Sequence, residues 1–227
     1  MRKLPSGVKR VAFYNNKGGG GKTTLSAHTA LLAEEWKVNT ILACLDRQGN
    51  SLVWLSGGDG IAKVDSFYER SPHLSVVYSP QTMPDLENID LVLADCPPEI
   101  EIALTVNPTF WVVPVHGRMG FQGLQNVVRD LIESKAEVIV VKNNVGRGGP
   151  AVQKGLDKAL EFVKGVTIYP EGIPESDTIG RAEEFYAASW ALPHSSKSQG
   201  AAAMKRFCEY ILKRCGFSQP PKATKGP

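Results

Sequence analysis

The chain lacks the features that mark membrane-spanning or secreted proteins. No apolar run is long enough to cross a bilayer, and residues 1–5 lead into the first predicted strand without a secretory signal. The four cysteines form no C-x-x-C pair, which indicates reduced thiols rather than a disulfide framework. The sequence also contains no internal repeat. We therefore expect a cytoplasmic protein.

Length and composition favour one enzyme-sized domain. The 227 residues, 42% of them hydrophobic, are enough to bury a sizeable core. We predict a single domain over residues 1–217 and a polar, flexible tail over residues 218–227. Residues 59–65 and 144–150 have loop-like composition but are too short to be domain linkers.

A glycine-rich stretch at residues 17–24, with the sequence K-G-G-G-G-K-T-T, is the strongest functional signal. It lies between a predicted strand (residues 8–14) and a predicted helix (residues 25–35). Glycines allow successive backbone amides to face a phosphate at the positive end of the helix. Lys22 would add charge at the β- and γ-phosphates, and the Thr23 hydroxyl is a ligand for Mg²⁺. The stretch therefore predicts a nucleoside triphosphate site.

Two departures and two further segments connect this loop to a known family. The general pattern G-x-x-x-x-G-K-[ST] requires glycine where this chain has Asn16, and a second lysine, Lys17, follows. K-G-G-x-G-K-T-T resembles the deviant Walker A loop of the ParA/MinD family of ATPases. Residues 45–50 (L-D-R-Q-G-N) resemble the family's switch segment D-x-D-P-Q-G-N. Residues 91–98 (L-V-L-A-D-C-P-P) resemble its Walker B strand, which ends in D-x-P-P.

The alternation of apolar runs and helix-like segments predicts a doubly wound α/β fold, with a mostly parallel sheet and helices on both faces. The resemblance implies the same fold, a P-loop NTPase of the deviant Walker A type. After residue 95 the predicted elements are a helix at 99–105, a strand at 110–113, a helix at 121–133, a strand at 137–141, a helix at 151–164 and a strand at 166–168. The resemblance also places a dimer and partner surface at residues 119–125.

The resemblance implies an ATP site with nucleotide-binding residues and catalytic residues. The resemblance gives Lys17 a role across a dimer interface, on the nucleotide of the partner subunit. We expect the following residues to bind nucleotide: Lys17, Gly18, Gly19, Gly20, Gly21, Lys22, Thr23 and Thr24. Catalysis is assigned to Lys17, Lys22 and Asp46, with ATP and Mg²⁺ as the ligands.

Two aspartates follow predicted strands, at the edge where open α/β sheets bind ligands. Asp46 is expected to orient the attacking water and to reach Mg²⁺ through water, while Asp95 is expected to hold Mg²⁺ with Thr23. Either aspartate alone could equally be a turn residue or a helix cap. Cys44 and Cys96 lie beside this pair in sequence, and we expect both to be small buried hydrophobes rather than cluster ligands.

Several positions differ from the family pattern. Cys44 replaces the first switch carboxylate and Arg47 replaces the proline. If Asp46 orients the water, hydrolysis survives these changes, whereas a role for the missing carboxylate would make turnover slow. We expect slow hydrolysis without a partner. Residues 172–175 (G-I-P-E) resemble the family's G-x-I-P-R segment beside the adenine, but Glu175 stands where a basic residue is usual. The resemblance implies that Asn143 and Pro174 lie near the base.

The last 31 residues are strongly basic, with seven lysines and arginines and only Glu209 to oppose them. Apolar residues recur at helical spacing on one face, at Met204, Phe207, Cys208, Ile211 and Cys215. Such a helix can offer phosphates a basic face and bind DNA weakly, without sequence preference and with salt sensitivity. The candidate DNA-binding residues are Lys197, Lys205, Arg206, Lys213 and Arg214.

These features lead to one functional expectation and three alternatives. We expect a nucleoid-associated ATPase that dimerises with ATP and binds DNA nonspecifically. A ParB-like protein or a cargo adaptor is expected to stimulate it, so that it partitions or positions DNA or another cargo. The basic helix could instead be an ordinary solvated face, or a membrane-targeting helix of the MinD kind, which the polar tail makes less favourable. A small-molecule ligase or reductase component using the same loop is the third alternative. Only sixteen residues precede Lys17, so we expect no helix-turn-helix domain and no operator-specific repression.

Overall fold

The computed structural model describes residues 7–58, 63–64, 66–80, 83, 88–116, 124–143, 149–160 and 164–221. The strands are β1 Lys9–Phe13, β2 Thr40–Cys44, β3 Ser66–Ser71, β4 Leu74–Tyr78, β5 Leu91–Asp95, β6 Phe110–His116, β7 Glu137–Asn143 and β8 Val166–Ile168. The helices are α1 Lys22–Glu35, α2 Asn50–Leu55, α3 Ile100–Leu104, α4 Leu124–Ile132, α5 Gly149–Leu160, α6 Asp177–Gly180 and α7 Gln199–Arg214. Short 3₁₀ turns at Ser189–Ala191 and Ser195–Lys197 precede α7.

The strands form one sheet in the order β3-β4-β2-β5-β1-β6-β7-β8. All neighbouring pairs are parallel except β3 with β4, which are antiparallel. The four apolar central strands β1, β2, β5 and β6 are buried because helices cover both sheet faces. The mostly parallel, doubly wound fold predicted from the sequence is confirmed.

Alternate residues of the strands supply two separate cores. Val11 and Phe13 of β1 face a core completed by α1, α2 and α7. Ala12, between them, faces the second core, completed by α3, α4 and α5. This two-residue alternation is the ordinary geometry of a strand with both faces covered.

The antiparallel pair β3 and β4 was absent from the sequence prediction. β3 has the sequence S-F-Y-E-R-S, and its polar residues suit an edge strand, so it lacks the apolar run that identified the central strands. Helix α1 begins at Lys22, three residues before the predicted start. Helix α5 begins at Gly149, inside the predicted loop at 144–150.

Some predicted segments lie partly outside the described residues. The predicted dimer and partner surface at residues 119–125 is described only from residue 124. Of the predicted tail, residues 218–221 have no regular structure and residues 222–227 are not described. The single-domain boundary at residue 217 stays a prediction.

The carboxyl ends of the central strands meet at one edge of the sheet. In the strand register, Asp95 is paired with Phe13 of β1 on one side and with Cys44 of β2 on the other. The next residues along these two strands begin the glycine loop and the segment containing Asp46. Asn143 ends β7 beside His116 of β6. The sheet therefore brings four distant parts of the sequence to one place.

Candidate nucleotide-binding site

The glycine loop connects β1 to α1 and leaves the amino terminus of that helix open. Gly21 is the N-cap, with φ 93°, and it has no side chain to accept the first amides of α1. The first turn also contains no acidic residue. Lys22 is 7% exposed, and its Nζ donates to the carbonyl oxygen of Lys17 at 3.3 Å. Free amides, a helix dipole and a lysine therefore converge on the same space.

Two asparagine side chains hold the loop in place. Asn15 Nδ2 donates to Pro114 O on β6 at 2.7 Å, and Asn15 Oδ1 accepts from Lys17 N at 3.1 Å. Asn143 Nδ2 donates to Gly20 O at 3.0 Å. Sequence reasoning missed the role of Asn15, for which its position two residues after the end of β1 was the only signal. Asn143, predicted to lie near the base, contacts the loop backbone itself.

Gly21 is required at its position for two independent reasons. Its φ of 93° is unfavourable for residues with a side chain, and a Cβ there would lie 2.0 Å from Asn143 Nδ2. By contrast, a Cβ on Gly18 would meet no atom within 4 Å. The four glycines of the loop thus differ in what the fold demands of them.

Asp95 and Thr23 form the candidate metal site. Thr23 Oγ1 donates to Asp95 Oδ2 at 2.9 Å, and Asp95 is 1% exposed. Burial raises the pKa of Asp95 to about 6, and the hydrogen bond from Thr23 opposes that rise. Ser51 also lies close enough to lower this pKa, although its hydroxyl lacks hydrogen-bond geometry with the carboxylate.

The second oxygen of Asp95 fits a cation. Asp95 Oδ1 is buried and has no hydrogen-bond partner among the described residues. A buried carboxylate oxygen without a donor is costly, and a bound divalent cation would both satisfy it and stabilise the ionised form. Together with the Thr23 hydroxyl, the donor set is hard oxygen, which suits Mg²⁺.

Asp46 lies in a tight turn between β2 and α2. Gly49 N donates to Asp46 O at 3.0 Å, and Gln48 N donates to Asp46 Oδ1 at 2.9 Å. The first bond closes the turn, the second holds the carboxylate against the backbone of the turn, and Asp46 is half-buried.

The glycine loop and the Asp46 turn line a common cleft of about 610 Å³. Loop residues Gly18 to Thr24 form one side, and Asp46, Arg47, Gln48 and Asn50 form another. Its remaining lining residues are Pro97, Pro98, Glu99, Ile102 and Glu183. Sequence reasoning did not identify Gln48, Asn50, Glu99 or Glu183 as site residues.

An adjoining cavity of about 320 Å³ contains the residues predicted to lie near the base. Asn143 and Pro174 line it together with Gly19, Gly21 and Thr24 of the loop. Glu175 and Asp177 also line it, so the lining has an acidic residue at position 175, where the family pattern has a basic one.

Lys17 is the one residue of the stretch 17–24 that does not line this cleft. Its backbone is hydrogen bonded within the loop, through both its amide and its carbonyl group. Lys17 is half-buried, and it is absent from the described residues that line the cleft of its own chain.

The basic residues of α7 are in large part paired with carboxylates. Lys205 pairs with Glu35, Arg206 with Glu171, and Lys213 with Glu209; Arg214 pairs with Glu137. Three of these carboxylates come from other parts of the chain. Lys197, in the 3₁₀ turn before α7, is exposed and forms no ion pair with a described residue. The number of lysines and arginines counted in the sequence therefore overstates how much unpaired positive charge α7 presents.

The apolar face of α7 is part of the protein core. Met204, Phe207, Cys208 and Ile211 are fully buried, in contact with the core that α1 shares. That face is therefore not available for a lipid interface. Within the described part of the chain, no helix has the length and apolar character of a membrane span.

All four cysteines are buried, free thiols. Burial raises the pKa of Cys44 to about 11 and that of Cys96 well above its ordinary value, with the Asp95 charge adding to both. The interpretation of both as small buried hydrophobes agrees with this placement.

Comparison with known families decides the class of this site. A family model described as the CobQ/CobB/MinD/ParA nucleotide binding domain matches residues 11–187, well over half of the chain. The chain belongs to this family. The matched segment includes the glycine loop, Asp46, Asp95, Asn143 and Pro174. The match confirms the resemblance inferred from the glycine loop. Members of the ParA/MinD family are ATPases.

Relatives within the family share both sequence and fold. The chromosome-partitioning ATPase Soj of Thermus thermophilus is 25% identical over 247 residues, covering 93% of this chain and 98% of Soj. The maintenance of carboxysome distribution protein A of Halothiobacillus neapolitanus is 32% identical over 117 residues, covering 46% of this chain and 49% of that protein. The septum site-determining protein MinD of Pyrococcus horikoshii, solved with Mg-ADP, has a TM-score of 0.70 at 15% identity, covering 92% of this chain and 98% of MinD. The last comparison shows a common fold.

Proposed function

We propose that this ParA/MinD-family chain is an ATPase that forms an ATP-dependent sandwich dimer, binds DNA nonspecifically and positions DNA or another cargo. One observation carries the proposal: the glycine loop and Asp46 line a single cleft, and Thr23 of the loop is hydrogen bonded to the buried Asp95 behind it. This arrangement supports phosphate binding and water activation within one subunit, and Lys17, which does not line the cleft, is assigned to the site of a partner subunit.

Phosphate binding is the task of the loop and of Lys22. The open amides of α1 and the Lys22 ammonium group bind the β- and γ-phosphates. Thr23 and Asp95 would hold Mg²⁺ through their hydroxyl and carboxylate oxygens. The cation would neutralise charge that develops on the phosphate oxygens.

Asp46 positions the attacking water. Its carboxylate is held by the Gln48 amide and lines the cleft. There it would accept a hydrogen bond from the water that attacks the γ-phosphorus. Lys17 completes the site of the partner subunit and stabilises the negative charge of the transition state, as an arginine finger does. ATP then favours the dimer over the monomer because only the dimer supplies this contact.

DNA is the surface on which we place the dimer. Lys197, Lys205, Arg206, Lys213 and Arg214 lie around α7, and Soj, a chromosome-partitioning ATPase, matches almost the whole chain. A ParB-like protein or cargo adaptor would stimulate hydrolysis and release the dimer. The buried apolar face of α7 favours DNA over a membrane as the binding surface.

The dimer is tested by light scattering of the Asp46→Ala variant. With MgATP it should accumulate as a dimer and with MgADP remain a monomer, because nucleotide binds but is not hydrolysed. A monomer with both nucleotides would overturn the mechanism.

The binding surface is tested by co-sedimentation of the same variant with DNA and with anionic vesicles, over a series of salt concentrations. We expect ATP-dependent, salt-sensitive binding to DNA alone. Vesicle binding without DNA binding would assign the chain to the membrane-associated branch instead.

A further inference from the structure

We propose that Arg47 binds the γ-phosphate of the nucleotide held by its own subunit and makes the site selective for ATP over ADP. This inference rests on the proposed function. It concerns a residue at which the chain departs from the family pattern, where proline is usual.

The turn around Arg47 explains how an arginine can replace that proline. Asp46 to Gly49 form a β-turn closed by Gly49 N donating to Asp46 O, and Arg47 is its second residue. Proline favours this position because its fixed φ suits the turn. Here the turn is held instead by Gln48 N on Asp46 Oδ1 and by the Tyr78 hydroxyl, which donates to Arg47 O at 3.1 Å. The rigidity that proline would provide is supplied by hydrogen bonds, so the side chain at this position is free to take another role.

Arg47 has the placement that such a role needs. It is exposed and lines the same cleft as Lys22 and the loop amides. No described carboxylate forms an ion pair with its guanidinium group, although Glu99 and Glu183 line the same cleft. This contrasts with Arg70, Arg206 and Arg214, each of which pairs with a glutamate.

The chemistry of the cleft gives this cation a specific target. Asp46, Glu99 and Glu183 place negative charge around a site that must hold a triphosphate, and Lys22 lies at the loop. A guanidinium group has a planar, multidentate geometry that matches phosphate oxygens. Because Arg47 follows the residue assigned to the attacking water, it lies at the γ-phosphate end of the nucleotide and not at the base. ADP lacks the group that Arg47 would contact.

The test compares affinities for a non-hydrolysable ATP analogue and for ADP, each with Mg²⁺, by titration calorimetry. Arg47→Ala and Arg47→Pro should lose affinity for the analogue by about tenfold or more, as expected for a charge-assisted hydrogen bond, and change affinity for ADP by less than about twofold. Arg47→Lys should retain part of the selectivity. Arg129→Ala, an exposed arginine on α4, is the matched control and should leave both affinities unchanged.

Each outcome distinguishes this inference from the proposed function. Equal losses for both nucleotides, or no loss for either, would overturn the role of Arg47. Failure of the unmodified chain to bind either nucleotide would overturn the proposed function itself. Repeating the titrations with Lys17→Gln tests the subunit assignment: the effect of Arg47→Ala should persist there, and its disappearance would show that Arg47 acts across a dimer.

Discussion

The glycine loop and helix α7 both present basic side chains, but their surroundings differ. At the loop, Lys22 is buried among backbone groups, and its Nζ bonds to a carbonyl oxygen rather than to a carboxylate. On α7, Lys205, Arg206, Lys213 and Arg214 all pair with glutamates. The positive potential at the loop therefore remains available to a ligand, whereas much of the charge of α7 is neutralised by ion pairs within the chain. A basic residue predicts an anion site only when the fold leaves it without an acidic partner.

The largest effect should come from breaking the loop at Gly21. Gly21→Ala should lower the free energy of unfolding by about 3 kcal/mol, because an alanine there is both strained in φ and in contact with Asn143. Urea unfolding without nucleotide measures it. Gly18→Ala, whose Cβ would meet nothing, should cost less than about 1 kcal/mol.

The same substitution in an Asn143→Ala background separates the two causes. Removing the Asn143 side chain should relieve the contact and leave the φ strain, so that Gly21→Ala then costs about 1 to 2 kcal/mol. An unchanged cost in this background would show that the contact with Asn143 has no energetic weight.

The next effect concerns the attachment of α1 to the rest of the fold. His28 is fully buried on α1; its Nε2 accepts from Ser189 N at 3.1 Å, and its Nδ1 lies 2.7 Å from Thr24 O. Ser189 N can only donate, so the proton of the neutral ring is on Nδ1 and is donated to Thr24 O. Burial lowers the pKa of His28 from 6.5 to about 4.

Acid should therefore weaken the fold through His28. In the unfolded chain His28 is protonated below about pH 6.5, whereas in the folded chain it stays neutral down to about pH 4. The contribution of His28 to the free energy of unfolding is fully present above about pH 6.5, and it decreases as the pH falls from there towards about pH 4. Between about pH 7.5 and about pH 5 the loss should be about 2 kcal/mol. His28→Gln, which preserves a donor and an acceptor but does not titrate, should show a stability change smaller by that amount; an identical pH dependence would refute the assignment.

The smallest effects should come from freeing the cations of α7. Glu171→Gln should release Arg206 and raise the magnitude of the slope of log affinity for DNA against log salt by up to about 0.9. The pair is exposed, so stability should change by at most about 1 kcal/mol. Fluorescence anisotropy with labelled duplex DNA measures the slope. Glu133→Gln, outside the ion pairs of the described residues, is the control, and equal slopes in both variants would remove Arg206 from the DNA surface.

The two regions also differ in how far sequence alone predicts them. The central strands are short apolar runs, and the glycine loop, Asp46 and Asp95 follow them directly, so topology alone gathers them at one edge. The pairing of α7 could not be predicted, because Glu35, Glu137 and Glu171 are between 35 and 170 positions away from their partners. The contact of Asn143 with the loop spans 123 positions and depends on the register of β7.

The hairpin β3 and β4 marks the other limit of prediction. β3 alternates half-buried and exposed residues along much of its length, as an edge strand does, and its polar composition resembles that of a loop. β3 is a strand because it pairs with β4, and its local sequence does not predict that pairing.

The central claim is that each active site combines the loop and Asp46 of one subunit with Lys17 of the other. Steady-state ATPase activity of mixed variants tests it most directly. Lys17→Gln and Asp46→Ala should each be inactive alone, since neither variant by itself can assemble a site that contains both Lys17 and Asp46. Mixed, they should regain activity, because the Lys17→Gln subunit keeps Asp46 and receives Lys17 from its partner. A mixture as inactive as its components, although heterodimers form, would contradict the account.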